Sequence, residues 1–203
     1  MIVIDDVEQG SPEWFALRLG NPGASNIDKI ITPKGDVSKS RDDYMMTLAG
    51  ELICGKQEES YKSIAMMNGN EREESARQLF ELAYDVEVKK VGLVYKDEKK
   101  LFHCSPDGLL PDSGLEIKCP MMKTHVRYLL ENKLPSDYFG QVQMSMFVCD
   151  SADWYFMSYY EGLPPLILAV KRDEKYIEKL EPALLNFCCD LENMVEKLKK
   201  IAA

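Results

Sequence analysis

Apolar residues recur with a helical period over much of the chain. The pattern predicts helices over residues 12–18, 24–31, 42–54, 64–84, 123–132 and 137–148, and a last helix from 174 onward. Ser11 followed by Pro12 is a helix start, and Gly55 is a typical helix end. We expect Pro182 to kink or divide the last helix, because proline removes an internal hydrogen bond.

Alternating and β-branched stretches between these helices predict strands. They lie at 86–95, 101–105, 115–119, 154–160 and 166–170, with a turn over 111–114. The order is helices, a central group of strands, helices, two strands and a helix. This order predicts a mixed α/β fold, with one mixed sheet flanked by helices in a single domain over 1–203.

Composition narrows the function classes. The chain has 25 Lys and Arg against 34 Asp and Glu, a net charge of −9, which argues against nucleic acid unless a basic face is segregated from an acidic remainder. Its six cysteines form no C-x-x-C pair, so zinc and iron–sulfur sites are disfavoured and buried free thiols are expected. No apolar run reaches about 18 residues and the first ten residues are acidic, which favours a cytoplasmic protein without membrane contact.

Two carboxylates and a lysine suggest chemistry on the third predicted strand. Strand alternation puts Glu116 and Lys118 on one face, and Asp107 lies nine residues before Glu116 across the turn. A hairpin of that length brings the two carboxylates together, and a divalent cation is the usual reason to tolerate their repulsion. The alternative is an ordinary solvated face with a Glu–Lys pair.

Glu73 is a third carboxylate in an unexpected place. It falls on the apolar face of the 64–84 helix, where it needs a metal ion or a buried partner such as Arg77 or Lys118. With Asp107, Glu116 and the Ile117 carbonyl it forms an oxygen set suited to Mg²⁺, which activates water and stabilises a leaving oxygen. Lys118 would orient or deprotonate the water, or neutralise the phosphate.

The D-x8-E-x-K pattern resembles the PD-(D/E)-x-K nuclease motif, and its surroundings make the resemblance specific. The segments SPDGL at 105–109, GLEIKCP at 114–120, GQVQMSM at 140–146 and GNEREESARQLFE at 69–81 are similar to the lambda exonuclease/YqaJ viral recombinase family. The resemblance runs from about residue 9 to 198. It implies a restriction-endonuclease-like core and two Mg²⁺ ions, for which Mn²⁺ substitutes.

The resemblance also implies roles for individual residues. The metal ligands are Asp107, Glu116, the Ile117 carbonyl and, near the second ion, Glu73; the catalytic lysine is Lys118. The pocket for a 5′-terminal phosphate is formed by Arg18, Ser25, Ser105 and Gln143, and Met66 is the apolar wedge that opens the duplex end. Without the resemblance, the residues are compatible with other roles. Arg18 is then a surface residue, Gln143 a core hydrogen-bonding group and Met66 a core side chain. His103 and His125 read as structural.

The function implied is a phage-type alkaline exonuclease. It would hydrolyse one strand of linear double-stranded DNA 5′→3′, leave 3′ overhangs for a single-strand annealing protein, and assemble as a homotrimeric ring in a bacterial cell. Lys123, Arg127 and Lys133 are candidates for a DNA-facing surface. An endonuclease on the same core and a non-catalytic DNA-binding recombination module are the alternatives.

Overall fold

Helices and strands alternate around two small sheets in the computed structural model, which describes residues 1–57 and 64–202, with the side chains of 64–71 and 202 excepted. The described strands are β1 (Ile2–Ile4), β2 (Leu93–Tyr95), β3 (His103–Cys104), β4 (Gly108–Leu109), β5 (Ser113–Lys118), β6 (Asp153–Ser158) and β7 (Leu166–Lys171). The described α-helices are α1 (Pro12–Arg18), α2 (Arg41–Cys54), α3 (Ile64–Tyr84), α4 (Met122–Glu131), α5 (Ser136–Cys149) and α6 (Glu174–Ala202). A 3-10 helix covers Ala24–Lys29.

The larger sheet is mixed, as predicted. Its order is β4-β5-β6-β7, with β5 and β6 parallel and the outer pairs antiparallel. Parallel neighbours need a crossover, and the segment containing α4 and α5 supplies it. The smaller sheet, β1-β2-β3, is antiparallel, so the strands pair in two groups rather than in the single sheet expected.

The hairpin β4–β5 is closed by tight packing. Gly108 pairs with Leu115 and Leu109 with Gly114. A Cβ on Gly114 would lie 2.2 Å from the fully buried ring of Trp154 on β6, so only glycine fits there. The hairpin is therefore pressed onto its neighbouring strand, and the residue before it, Asp107, is held at the sheet edge.

The buried apolar side chains form two clusters, and the smaller one covers one face of β5. Leu115 and Ile117 pack with Ala76 and Phe80 of α3, while the main core gathers side chains from α2, α5, α6 and β6. The predicted alternation along 115–119 is therefore present, but Glu116 does not face solvent. It is only 2% exposed, which rules out the solvated-face alternative.

Several predicted bounds need correction. The strand expected over 86–95 shortens to Leu93–Tyr95, because Gly92 lies against the Val7 carbonyl and Lys89 makes an isolated bridge to Leu109. The three-residue β1 was too short to give a periodic signal. Pro182 lies inside a continuous α6 and does not divide it, since it is on the exposed face, where water can satisfy the carbonyl that loses its partner.

No helix in the described part of the chain is both long enough and apolar enough to span a membrane.

Candidate active site

Asp107 is fixed to β5 by both its backbone and its side chain. Its amide donates to the Leu115 carbonyl at 3.1 Å, and its carboxylate Oδ2 accepts from the amide of Ile117 at 2.6 Å. Ile117 stands between Glu116 and Lys118. The predicted approach of Asp107 to the Glu116-Ile117-Lys118 strand is therefore present.

Glu116 is buried among polar partners on the opposite face of β5 from the small apolar cluster. Its Oε1 accepts from Gln141 Nε2 on α5 at 2.6 Å and lies 2.5 Å from Lys118 Nζ. Its second oxygen, Oε2, is buried and has no hydrogen-bonding partner among the described residues. A buried carboxylate oxygen without a partner is costly, so this atom is suited to receive a cation or a water.

Glu73 joins this group from α3. Its Oε1 accepts from Arg77 Nη2 at 2.7 Å, the buried partner that the sequence offered as one alternative. Arg77 also donates through Nη1 to Glu74 Oε2 at 2.6 Å and through Nε to the Asp107 carbonyl at 3.1 Å. The guanidinium thus connects Glu73 directly to the backbone of Asp107.

The electrostatics show that these groups interact. Burial, Glu116 and Glu73 raise the pKa of Asp107 well above its usual value. Burial raises the pKa of Glu73 as well, against the opposing effect of Arg77. Burial alone would lower the pKa of Lys118, but the charges of Glu116 and Asp107 raise it above its usual value. The carboxylates of Glu73, Asp107 and Glu116 therefore share one partly buried region, in which the described cations are fewer than the carboxylates.

The donor set fits a hard divalent cation. No group of three or more His, Cys, Asp and Glu side chains converges at metal-binding distances among the residues described. The carboxylate of Asp107, whose pKa is raised by burial and by Glu116, the buried Oε2 of Glu116 and the intervening Ile117 carbonyl nevertheless offer the oxygen ligands that Mg²⁺ binds together with water. Such an ion would activate water and stabilise a leaving oxygen.

A second polar group lies on the same loop, two residues before Asp107. Arg18 Nη1 donates to Ser105 Oγ at 3.2 Å, and the guanidinium lies 3.9 Å from the ring centroid of Trp14. Ser25 is exposed at the start of the 3-10 helix. The structure therefore brings Arg18 to Ser105, a cation and a hydroxyl able to bind a phosphate together.

Gln143 is placed differently from the expectation. It is buried, its Nε2 donates to the Lys171 carbonyl at 3.0 Å, and its Oε1 accepts from the Asp173 amide at 2.8 Å. Both ends of the amide are used in the core, as in the alternative interpretation. Met66 lies in α3, and its side chain is among those that the structure does not describe.

The two histidines are both buried. His125 bonds to Ser158 Oγ and to the Pro164 carbonyl, which is a structural role. Within the described part of the chain, His103 has no hydrogen-bonding partner at either ring nitrogen, and burial, followed by the charge of Arg18, lowers its pKa to about 3. It is therefore a neutral imidazole packed beside the Arg18 region.

Comparison with known proteins decides the family. The model of the YqaJ-like viral recombinase domain matches residues 13–152. An alkaline exonuclease (LHK-Exo) from Laribacter hongkongensis is 32% identical, with a TM-score of 0.86 over 95% of this chain and 98% of that one. The chain belongs to the YqaJ-like viral recombinase family.

Other solved structures agree with this family assignment. LHK-Exo in complex with dAMP gives a TM-score of 0.85 at 32% identity, covering 95% of this chain and 98% of that chain. A phage-related exonuclease from Haemophilus somnus 129PT shares the fold at 16% identity, with a TM-score of 0.69 over 90% of this chain and 96% of its own. No curated protein sequence matches significantly. The predicted family, mixed α/β fold and exonuclease class of enzyme are confirmed for this family member.

One residue of the site, Gln141, was not found from the sequence, and Arg77 was found only as one candidate partner of Glu73. Gln141 bonds Glu116, and Arg77 joins Glu73 to Asp107. Gln141 lies two residues from Gln143 and therefore on another face of α5, so helical spacing distinguishes the surroundings of the two side chains. For Arg77 only its spacing of four from Glu73 was visible, and the contact with the Asp107 carbonyl needs the fold.

Proposed function

We propose that the protein is a Mg²⁺-dependent exonuclease that digests one strand of linear double-stranded DNA in the 5′→3′ direction. The observation that carries this proposal is the loop Ser105–Asp107. It presents a hydroxyl bonded to Arg18 at one end and a carboxylate bonded to the Glu116-Ile117-Lys118 strand at the other. A group that would hold a terminal phosphate therefore lies two residues from a group that would hold a metal ion.

Each residue has a part in the proposed reaction. Arg18 and Ser105 bind the 5′-phosphate by charge-assisted hydrogen bonds, with Ser25 nearby in sequence. Asp107, Glu116 and the Ile117 carbonyl would hold Mg²⁺ or Mn²⁺, with Glu73 toward a second ion. The ion supplies an activated water and charge stabilisation when it is bound.

Lys118 lies beside the carboxylates that would hold the metal ion. Its Nζ contacts Glu116 Oε1 and lies 5.3 Å from the ring centroid of Tyr138, which restricts where the ammonium can point. From this position it orients the attacking water or neutralises the charge that grows on the phosphate. Gln141 donates to the same Oε1 of Glu116 and so restricts rotation of that carboxylate.

The acidic charge of the chain is compatible with DNA in an assembly. We propose a homotrimeric ring whose subunits turn basic residues toward one channel, so that topology as well as affinity retains the substrate. Lys123, Arg127 and Lys133 are exposed on or directly after α4, which follows β5 of the candidate site. Light scattering should give a trimeric mass, and a processive monomer would contradict the ring.

The 3′ overhang left by this reaction is the substrate of an annealing protein. We therefore propose that the protein acts in recombination, in the cytoplasm of a bacterial or phage-infected cell, with a single-strand annealing protein as its partner. The family description, a viral recombinase domain, supports this setting.

The test of this function uses one duplex labelled at either end. With Mg²⁺, a 5′ label should be released at once, whereas a 3′ label on the same strand should appear only when digestion is complete. Covalently closed circular DNA is the control and should stay intact. Cutting of the circle would support the endonuclease alternative, and binding without Mg²⁺-dependent release would support the non-catalytic one.

A further inference from the structure

Arg77 has more partners near the candidate site than an ion pair needs. Its side chain is 7% exposed, and all three of its nitrogen positions donate to different acceptors. Nε reaches the carbonyl of Asp107, Nη2 the carboxylate of Glu73, and Nη1 the carboxylate of Glu74. One planar group therefore spans the helix that carries Glu73 and the loop that carries Asp107.

From this arrangement we infer that Arg77 is a positioning residue for the metal-binding carboxylates. It sets the distance between the carboxylate of Glu73 and the backbone of Asp107. This inference rests on the proposed function, since it concerns residues that would hold Mg²⁺. It assigns to Arg77 no contact with substrate or ion.

The geometry favours a guanidinium over any other side chain. Arginine presents a rigid fork of five N–H donors, so two acceptors from different chain segments can be held at fixed separation. Lysine has one nitrogen on a flexible stem and cannot donate along the same two directions. The Asp107 carbonyl and Glu73 Oε1 are 3.1 and 2.7 Å from separate nitrogens, so lysine would lose at least one of them.

The surroundings of Asp107 support this role. Its amide, its carboxylate and its carbonyl bond to Leu115, Ile117 and Arg77 respectively. The preceding carbonyl, that of Pro106, accepts from Gln9 Nε2 at 2.9 Å. Hydrogen bonds thus fix the backbone and the carboxylate of Asp107 without an ion. Of its partners, Arg77 is the one that also bonds Glu73. Residues that support metal ligands commonly change metal affinity about 10- to 100-fold when replaced.

Glu74 offers a matched control. It bonds the same guanidinium as Glu73, but its side chain is 46% exposed and also pairs with Lys90. Glu74→Gln therefore removes one charge from the Arg77 network and leaves the contacts with Glu73 and Asp107. A purely structural ion-pair role would be disturbed by this change as well as by a change at Arg77.

The test compares Arg77→Lys and Glu74→Gln with the wild type. Mg²⁺ binding is measured by calorimetry without DNA, kcat and KM on a linear duplex, and Tm in EDTA. For Arg77→Lys we expect Mg²⁺ affinity to fall about tenfold or more and kcat to fall, with KM for duplex within about twofold. Glu74→Gln should match the wild type in Mg²⁺ affinity and kcat. An Arg77→Lys variant with wild-type Mg²⁺ affinity and kcat, or equal losses in both variants, would overturn the inference.

A double variant covers the case in which Arg77→Lys does not fold. Arg77→Met combined with Glu73→Gln removes both charges together, so no buried carboxylate is left unpaired. If Arg77 also positions Asp107, the double variant binds Mg²⁺ more weakly than Glu73→Gln alone. Equal Mg²⁺ affinity in the two would refute the inference. A wild type that neither binds nor requires Mg²⁺ would instead refute the proposed function.

Discussion

The carboxylate of Asp107 accepts a hydrogen bond from the backbone amide of Ile117, with Oδ2 2.6 Å from the nitrogen. Ile117 is the residue between Glu116 and Lys118. Because the bond ends on a strand amide rather than on a side chain, the position of the carboxylate is tied to β5 itself. Asp107 is consequently fixed to the strand that carries Glu116 and Lys118.

Lys118→Ala should slow hydrolysis by about 10²- to 10³-fold, the usual cost of losing a positioned group that stabilises transition-state charge. Mg²⁺ affinity should change much less, because the ammonium is not an oxygen ligand. The measurements are kcat on a linear duplex and Mg²⁺ binding by calorimetry. A large loss of Mg²⁺ binding would show that Lys118 acts on the ligands rather than on the reaction.

Gln141→Ala should lower activity, whereas Gln143→Ala should lower stability. Gln141 holds Glu116, so its loss should reduce activity about 10- to 100-fold and leave Tm almost unchanged. Gln143 holds the Lys171 carbonyl and the Asp173 amide, so its loss should cost about 1–3 kcal/mol of unfolding free energy. Tm and initial rates on both variants decide between these roles, and a stable but inactive Gln143→Ala would reverse the assignment.

Local patterns predicted the helices well and the site in part. Capping residues and the helical period of apolar residues predicted α1, α2 and α3, because Ser11, Gly55 and the apolar stripes are signals within the local sequence. The approach of Asp107 to β5 was predictable because a short hairpin joins them.

What the sequence left out depends on contacts between distant segments. The bond from Arg77 to the Asp107 carbonyl crosses 30 positions, and the bond from Gln9 to Pro106 crosses 97. Neither leaves a periodic trace in the sequence. The partners of Gln141 and Gln143 were not predictable for a related reason, because the face of α5 that meets β5 is set by packing and not by local order.

Arg18→Ala should reduce the preference for 5′-phosphorylated ends. A hydrogen bond to a charged group contributes roughly 1.5–3 kcal/mol, which corresponds to about a ten- to hundredfold change in rate at low substrate. The measurement compares 5′-phosphate with 5′-hydroxyl duplex for both proteins. Identical ratios would mean that Arg18 does not bind the terminal phosphate.

His103→Leu should make the protein more resistant to acid. The folded pKa of His103 is about 3, below its usual value of 6.5, so the unfolded chain binds the proton more readily. The stability this group supports is present above about pH 6.5 and is lost as the pH falls toward 3. We expect the variant to have a higher Tm than the wild type near pH 4–5, with a smaller difference at pH 8. A wild-type dependence of Tm on pH in the variant would contradict this.

In the proposed function, Asp107 and Glu116 form a metal-dependent nuclease site. Nucleotide release from a linear duplex, measured in Mg²⁺ for wild type, Asp107→Asn and Glu116→Gln, tests it most directly. Both variants keep the shape of the side chain, so each should fold with a Tm in EDTA at or above that of the wild type. We expect Mg²⁺-dependent release by the wild type, abolished by EDTA, and no release by either variant. Wild-type rates in Asp107→Asn or Glu116→Gln would contradict it.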